Sequence, residues 1–153
     1  MAQKLYPSGH LLEMFMPYRD DEARMADVLR RAADFGFYRN AELPSFRTGK
    51  YQSAVRSILE RSGMTGTTFV TPYGKQAGLA LCDLDTARRR AALALCREHA
   101  DAAAECGYLH FGVPSGDDPG DARREDAKKA MADSLMELAE YVRGLGMNLT
   151  LEP

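Results

Sequence analysis

Leu149-Thr150-Leu151-Glu152-Pro153 closes the sequence as an apolar strand that ends in one carboxylate. Working backwards from it, four strand-then-helix units precede this strand. Where such units close into a barrel, the residue at the C-terminal tip of a strand faces the functional end. Glu152 is therefore the first candidate site residue. The end at Pro153 is expected to cut such a barrel part-way, after its fifth strand.

The upstream units are read from periodicity and punctuation. A first strand is expected over 10–16, stopped by Pro17. Asp20, Asp21 and Glu22 then start a helix with acids in its first turn, where the macrodipole favours them. Met25, Val28, Leu29, Ala32 and Ala33 follow at helical spacing, and Gly36 closes the helix. A second strand over 38–43 carries Glu42 near its end, and a helix over 50–61 follows it. The third strand is expected over 66–71, ending at Pro72-Tyr73-Gly74, with a long loop over 75–84. Asp85 reads as the N-cap of the next helix, whose stripe is Ala91, Ala92, Leu95, Ala102, Ala103 and Cys106. A fourth strand over 108–113, a Pro/Gly/Asp-rich loop over 114–121 and a helix over 125–143 complete the order βαβαβαβαβ.

Strands alternating with helices of this length predict one parallel sheet with right-handed crossovers, in a single domain over 1–153. Two such folds compete. A flavodoxin-like open sheet also has five strands but finishes with a fifth helix, and no G-x-G-x-x-G follows a strand. A complete eight-strand barrel needs about 250 residues. Periodicity leaves the two options open.

Composition narrows the partners. The chain has 153 residues, 45% hydrophobic and 27% charged, with a net charge of −2. Phosphate backbones call for a basic surface, so nucleic acid is not the expected partner. No apolar run approaches the roughly 18 to 20 residues that span a bilayer, and the N-terminus lacks a signal-peptide core. Cys82, Cys96 and Cys106 are odd in number and lack metal-type spacing, which points to a reducing cytoplasm.

From Leu84 onward the chain resembles the xylose isomerase-like barrel superfamily of sugar and sugar-phosphate isomerases and epimerases, which also includes an abasic-site endonuclease. The similar stretches are Asp85-Thr86-Ala87-Arg88-Arg89, Ala102-Ala103-Ala104-Glu105-Cys106-Gly107 and Leu109-His110-Phe111-Gly112-Val113-Pro114-Ser115-Gly116. Ser134-Leu135-Met136-Glu137-Leu138-Ala139-Glu140-Tyr141 and the closing strand continue the series, and Tyr38-Arg39-Asn40-Ala41-Glu42-Leu43 is similar to the family's second strand. The resemblance implies a partial (β/α)8 TIM barrel: the N-terminal part of a metal-dependent isomerase or epimerase acting on a small sugar or sugar phosphate. It also implies that Glu152 binds a divalent cation (Mn, Mg, Co or Zn) and acts as acid/base.

Such chemistry suits a carboxylate. Moving a proton beside a carbonyl creates an enediolate, which a cation stabilises and a carboxylate serves. The family's other ligands come from later strands, so 153 residues alone are expected to be inactive and to bind metal at millimolar strength or weaker. Glu42 at the tip of strand two, Tyr73 after strand three, His110 on strand four and Ser115 after it are the candidate substrate-binding residues. Lys75 lies in the same loop as Tyr73, and His99 is expected to be structural. Arg88-Arg89-Arg90 reads as a solvated face.

Two rivals are weighed against this. The endonuclease branch looks as though it places histidines at the tips of strands three and four, whereas strand three here ends in Val70-Thr71-Pro72-Tyr73. A non-catalytic assembly protein would pair its open sheet edges with another chain, such as a second copy in a homo-oligomer. A dimer would then hold ten strands, two more than a simple eight-strand barrel.

Overall fold

The computed structural model describes residues 6–152; Pro153, on which the reading of the chain's end falls, lies outside them. Five parallel strands follow in chain order, β1-β2-β3-β4-β5, in one open sheet. They are β1 (Ser8–Gly9), β2 (Asn40–Glu42), β3 (Thr65–Phe69), β4 (His110–Pro114) and β5 (Asn148–Glu152). The helices between them are α1 (Leu11–Met14), α2 (Glu22–Phe35), α3 (Gly49–Ser62), α4 (Thr71–Ala77), α5 (Thr86–Glu105) and α6 (Asp121–Gly144). None of the described helices is long and apolar enough to cross a membrane.

The chain divides into two compact units, residues 6–68 with 102–109, and residues 69–101 with 110–152. In the first, β2 lies between β1 and β3, with Ala41 opposite both Gly9 and Gly66. That neighbour order decides between the two candidate folds. A flavodoxin-like sheet puts β1 between β2 and β3, whereas a barrel keeps chain order. Asp21 caps α2 by accepting from the Arg24 N–H at 3.1 Å, and Gly36 ends it at φ 71°, where a side chain would be strained. Met25, Leu29 and Ala32, one helical turn apart, bury the inner face of α2. Gly66 leaves room on β3 for the Tyr108 ring, and the Tyr108 hydroxyl donates to the Pro44 carbonyl at 2.9 Å.

In the second unit, β4 and β5 pair from His110 opposite Asn148 to Pro114 opposite Glu152. Gly112 on β4 admits the Phe69 ring, since a Cβ there would overlap it. Asp85 caps α5 as expected, accepting from the Ala87 and Arg88 N–H groups. Helix α6 buries Ala127, Ala130, Met131, Leu138 and Val142, while its Ser134 hydroxyl donates to the Leu81 carbonyl at 2.8 Å.

Two expectations are corrected. The first strand is not residues 10–16 but Ser8–Gly9, followed at once by α1 and a 3-10 turn over Met16–Tyr18. Leu11 and Leu12 are adjacent and both buried while Met14 and Met16 are exposed, a helical turn rather than strand alternation. The hydrogen bonds from Met14 N to His10 O (3.0 Å) and from Phe15 N to Leu11 O (3.1 Å) close that turn. The segment after β3 is likewise not a plain loop, because α4 begins at Thr71. Pro72 sits in its first turn, where a missing N–H leaves no helical bond unmade.

Candidate active site

In the second unit, β5 carries Glu152 to its C-terminal tip, half-buried on the wall of a cavity of about 490 Å³. Its Oε2 accepts from the Thr71 hydroxyl at 2.6 Å, and Thr71 opens α4 directly beyond β3. The Glu152 carbonyl accepts from the Ser115 N–H at 2.9 Å, so the loop after β4 is hydrogen-bonded to the strand tip. Lys75, Ser115 and Asp117 line the same cavity. Among the described residues no cationic side chain pairs with Glu152. Arg88 also reaches the cavity wall, but it is engaged by Asp83 at 2.6 Å, and the Arg88 guanidinium holds the Asp83 carboxyl below the usual carboxylate range.

In the first unit, a second carboxylate stands at a strand tip. Glu42 ends β2 and is buried, and its Oε2 lies 2.9 Å from His10 Nδ1. His10 follows Gly9 at the C-terminal end of β1. The expected strand over 10–16 put it at the opposite end and hid it as a candidate.

The other expected site residues fall in different places. Ser115 is beside Glu152, as above. Tyr73 does not line the cavity; its ring packs on His99, with centroids 4.1 Å apart. His99 is buried, in keeping with a structural role. His110 opens β4 opposite Asn148, four residues before the position opposite Glu152. At about 3.3 Å per residue the two ends are about 13 Å apart along the strand. That register places His110 at the N-terminal end of β4, away from the strand tip that carries Glu152. Thr71 was missed altogether, although a Thr-Pro pair straight after a strand is a recognisable helix start.

Sulfur offers no nucleophile here. Burial pushes the Cys96 thiol up to about 12 and Cys106 to about 11, and it raises Cys82 as well. Among the described residues no group of three His, Cys, Asp or Glu side chains could hold a metal ion. Glu152 with a neutral threonine is one ligand, so these residues do not form a complete divalent-cation site.

Compared with known families, residues 29–153 match the xylose isomerase-like TIM barrel. The chain belongs to that family. Within the xylose isomerase-like fold, similar solved structures include a putative xylose isomerase from Rhodospirillum rubrum, with a TM-score of 0.71 and 18% identity over 98% of this chain and 54% of that one. D-allulose 3-epimerase from Methylomonas sp. in complex with D-allulose gives a TM-score of 0.68 and 18% identity over 98% of this chain and 51% of that one. D-psicose 3-epimerase from Clostridium cellulolyticum with D-tagatose gives 0.65 and 14% over 82% and 45%. These likenesses show the fold. The chain spans about half the length of the structures it matches. No curated protein matches it in sequence.

Proposed function

We propose that this chain is the N-terminal part of a sugar isomerase or epimerase, with Glu152 as the carboxylate that moves a proton beside the substrate carbonyl. The observation that carries the reading is the setting of Glu152: at the tip of β5, on a cavity wall, held by a neutral hydroxyl and not by an ion pair. A carboxylate locked in an ion pair with a Lys or Arg side chain is a poor base, whereas one steadied by a threonine keeps a lone pair for a proton. The match to a family with sugar epimerases among its solved structures supports the same substrate class, a small polyhydroxylated carbonyl compound.

In the proposed step the C–H bond beside the carbonyl breaks and its proton goes to Glu152. The electron pair moves onto the carbonyl oxygen, giving an enediolate. Inversion then needs a proton delivered to the opposite face of the same carbon by water or by an acid other than Glu152, which in turn releases its own proton to solvent. Delivery by Glu152 to the neighbouring carbon, with transfer of the hydroxyl proton to the former carbonyl oxygen, isomerises the sugar. Thr71 keeps the carboxylate in one orientation, while Lys75 and Ser115 on the cavity wall offer donors to substrate oxygens. A divalent cation would stabilise the developing charge, and Glu152 would be its one ligand from these residues.

Full turnover is not expected of these 153 residues alone, but removal of the proton by Glu152 is a half-step that they can carry. Incubation of the full chain with D-allulose in heavy water tests it, with deuterium at the carbon beside the carbonyl read by NMR. Exchange that falls by about 10²-fold or more in Glu152→Gln is the expected result. Exchange equal in the variant, or none in the wild type, overturns the role given to Glu152 in this chain. Calorimetric titration with Mn²⁺ is expected to give millimolar or weaker binding, and micromolar affinity would show a ligand set that the described residues do not reveal.

A further inference from the structure

The pair at the tips of β1 and β2 is not used by the chemistry assigned to Glu152, and its geometry is that of an oriented imidazole. The Glu42 side chain is 9% exposed and the His10 side chain 60% exposed, with 2.9 Å between Oε2 and Nδ1. An ionised carboxylate only accepts, so Nδ1 must carry the hydrogen. Fixing one ring nitrogen as donor leaves Nε2, in the neutral ring, as an acceptor. No other hydrogen bond or ion pair of the His10 side chain is present among the described residues. Both residues stand where their strands end, the end at which parallel βα sheets place their ligands.

We propose that His10 is a ligand-binding residue whose Nε2 accepts a hydrogen bond from a hydroxyl of a polyhydroxylated carbonyl compound, with Glu42 as the positioning residue that fixes the ring. The inference rests on the sugar-binding reading given above for this chain. A pair that only satisfied a buried carboxylate would put the histidine's second nitrogen to no use. The exposure of the ring beside a buried partner is what separates the two roles.

The test is ¹⁵N NMR of the imidazole signals in the full chain at about pH 8, above the ordinary imidazole range, with D-allulose as the probe. The wild type should show the Nδ1–H tautomer, and its Nε2 signal should move as D-allulose is added. His10→Asn keeps a donor for Glu42 but removes the ring, and it should bind D-allulose about tenfold more weakly. Glu42→Gln should give a mixture of tautomers and weaken binding several-fold. A wild-type Nε2–H tautomer overturns the proposal. So does an Nε2 signal that stays fixed while the Glu152 and Ser115 backbone signals move, and in that case the sugar reading stands. If none of these signals moves, both fall.

Discussion

Two strand-tip carboxylates in this protein are held in opposite ways. Glu42 is buried and lies against an imidazole, while Glu152 is half-buried, faces a cavity and takes its hydrogen bond from a hydroxyl. A buried carboxylate needs strong partners to stay ionised, and its contacts therefore fix its neighbours. A half-exposed one keeps some water and needs less, which leaves it able to exchange protons. The contrast assigns orientation to the first and reactivity to the second.

The largest effects should come where the two regions agree. Each has a strand glycine at which an added Cβ would overlap an aromatic ring, Gly66 with Tyr108 and Gly112 with Phe69. Gly112→Ala and Gly66→Ala should each destabilise the chain by about 3 kcal/mol, the upper end of overpacking costs, because a Cβ at either position overlaps the ring packed against it. Urea unfolding measures this. A loss below about 1 kcal/mol at one glycine alone would show that its region yields where the other does not.

His10→Ala comes next and bears directly on the comparison. It takes from the buried Glu42 carboxylate a hydrogen bond of the charge-assisted kind, and about 2 kcal/mol should be lost at neutral pH. Stability unchanged within error would mean that Glu42 draws its support from elsewhere, and the two carboxylates would no longer differ.

A third test uses the buried thiols, Cys106 in the first unit and Cys96 in the second. Burial lifts their pKa values to about 11 and about 12, above the ordinary thiol value of 9.0. The folded state therefore holds these protons more tightly than the unfolded state. That contribution is complete below pH 9 and is lost as pH rises from there towards the folded values. Each thiol should remove about 1.4 kcal/mol per pH unit in that window. Urea midpoints that stay level from neutral pH to about 10 would contradict the burial of both sulfurs.

Local chemistry was legible in the sequence and long-range pairing was not. Asp21, Gly36 and Asp85 mark helix ends through their own backbone neighbours, and all three hold those positions in the structure. The barrel reading needed the neighbours of β2, which no local pattern encodes, and it was reached by resemblance. A two-residue β1 has no period to detect, so the apolar run after it reads as the strand and places His10 at the wrong end. Helix α4 was hidden by Pro72 and Gly74, both commoner in turns than in a seven-residue helix. The pairs His10–Glu42 and Thr71–Glu152 join residues far apart in sequence, so each carboxylate was visible as a candidate while its partner was not.

The smallest effect should be at the partner of Glu152. Thr71→Val keeps the shape of the side chain and removes the hydroxyl that donates at 2.6 Å. Because Glu152 is half-buried beside a cavity, water can replace the lost donor, and the stability cost should stay under about 1 kcal/mol, below that of His10→Ala. The same substitution should alter proton exchange more than stability, since a carboxylate no longer tethered loses its orientation. Thr71→Val should therefore slow deuterium incorporation into D-allulose several-fold, and Thr71→Ser should restore it. A stability loss as large as that of His10→Ala, with no change in exchange, would make Thr71–Glu152 a structural bond and remove the distinction between the two strand tips.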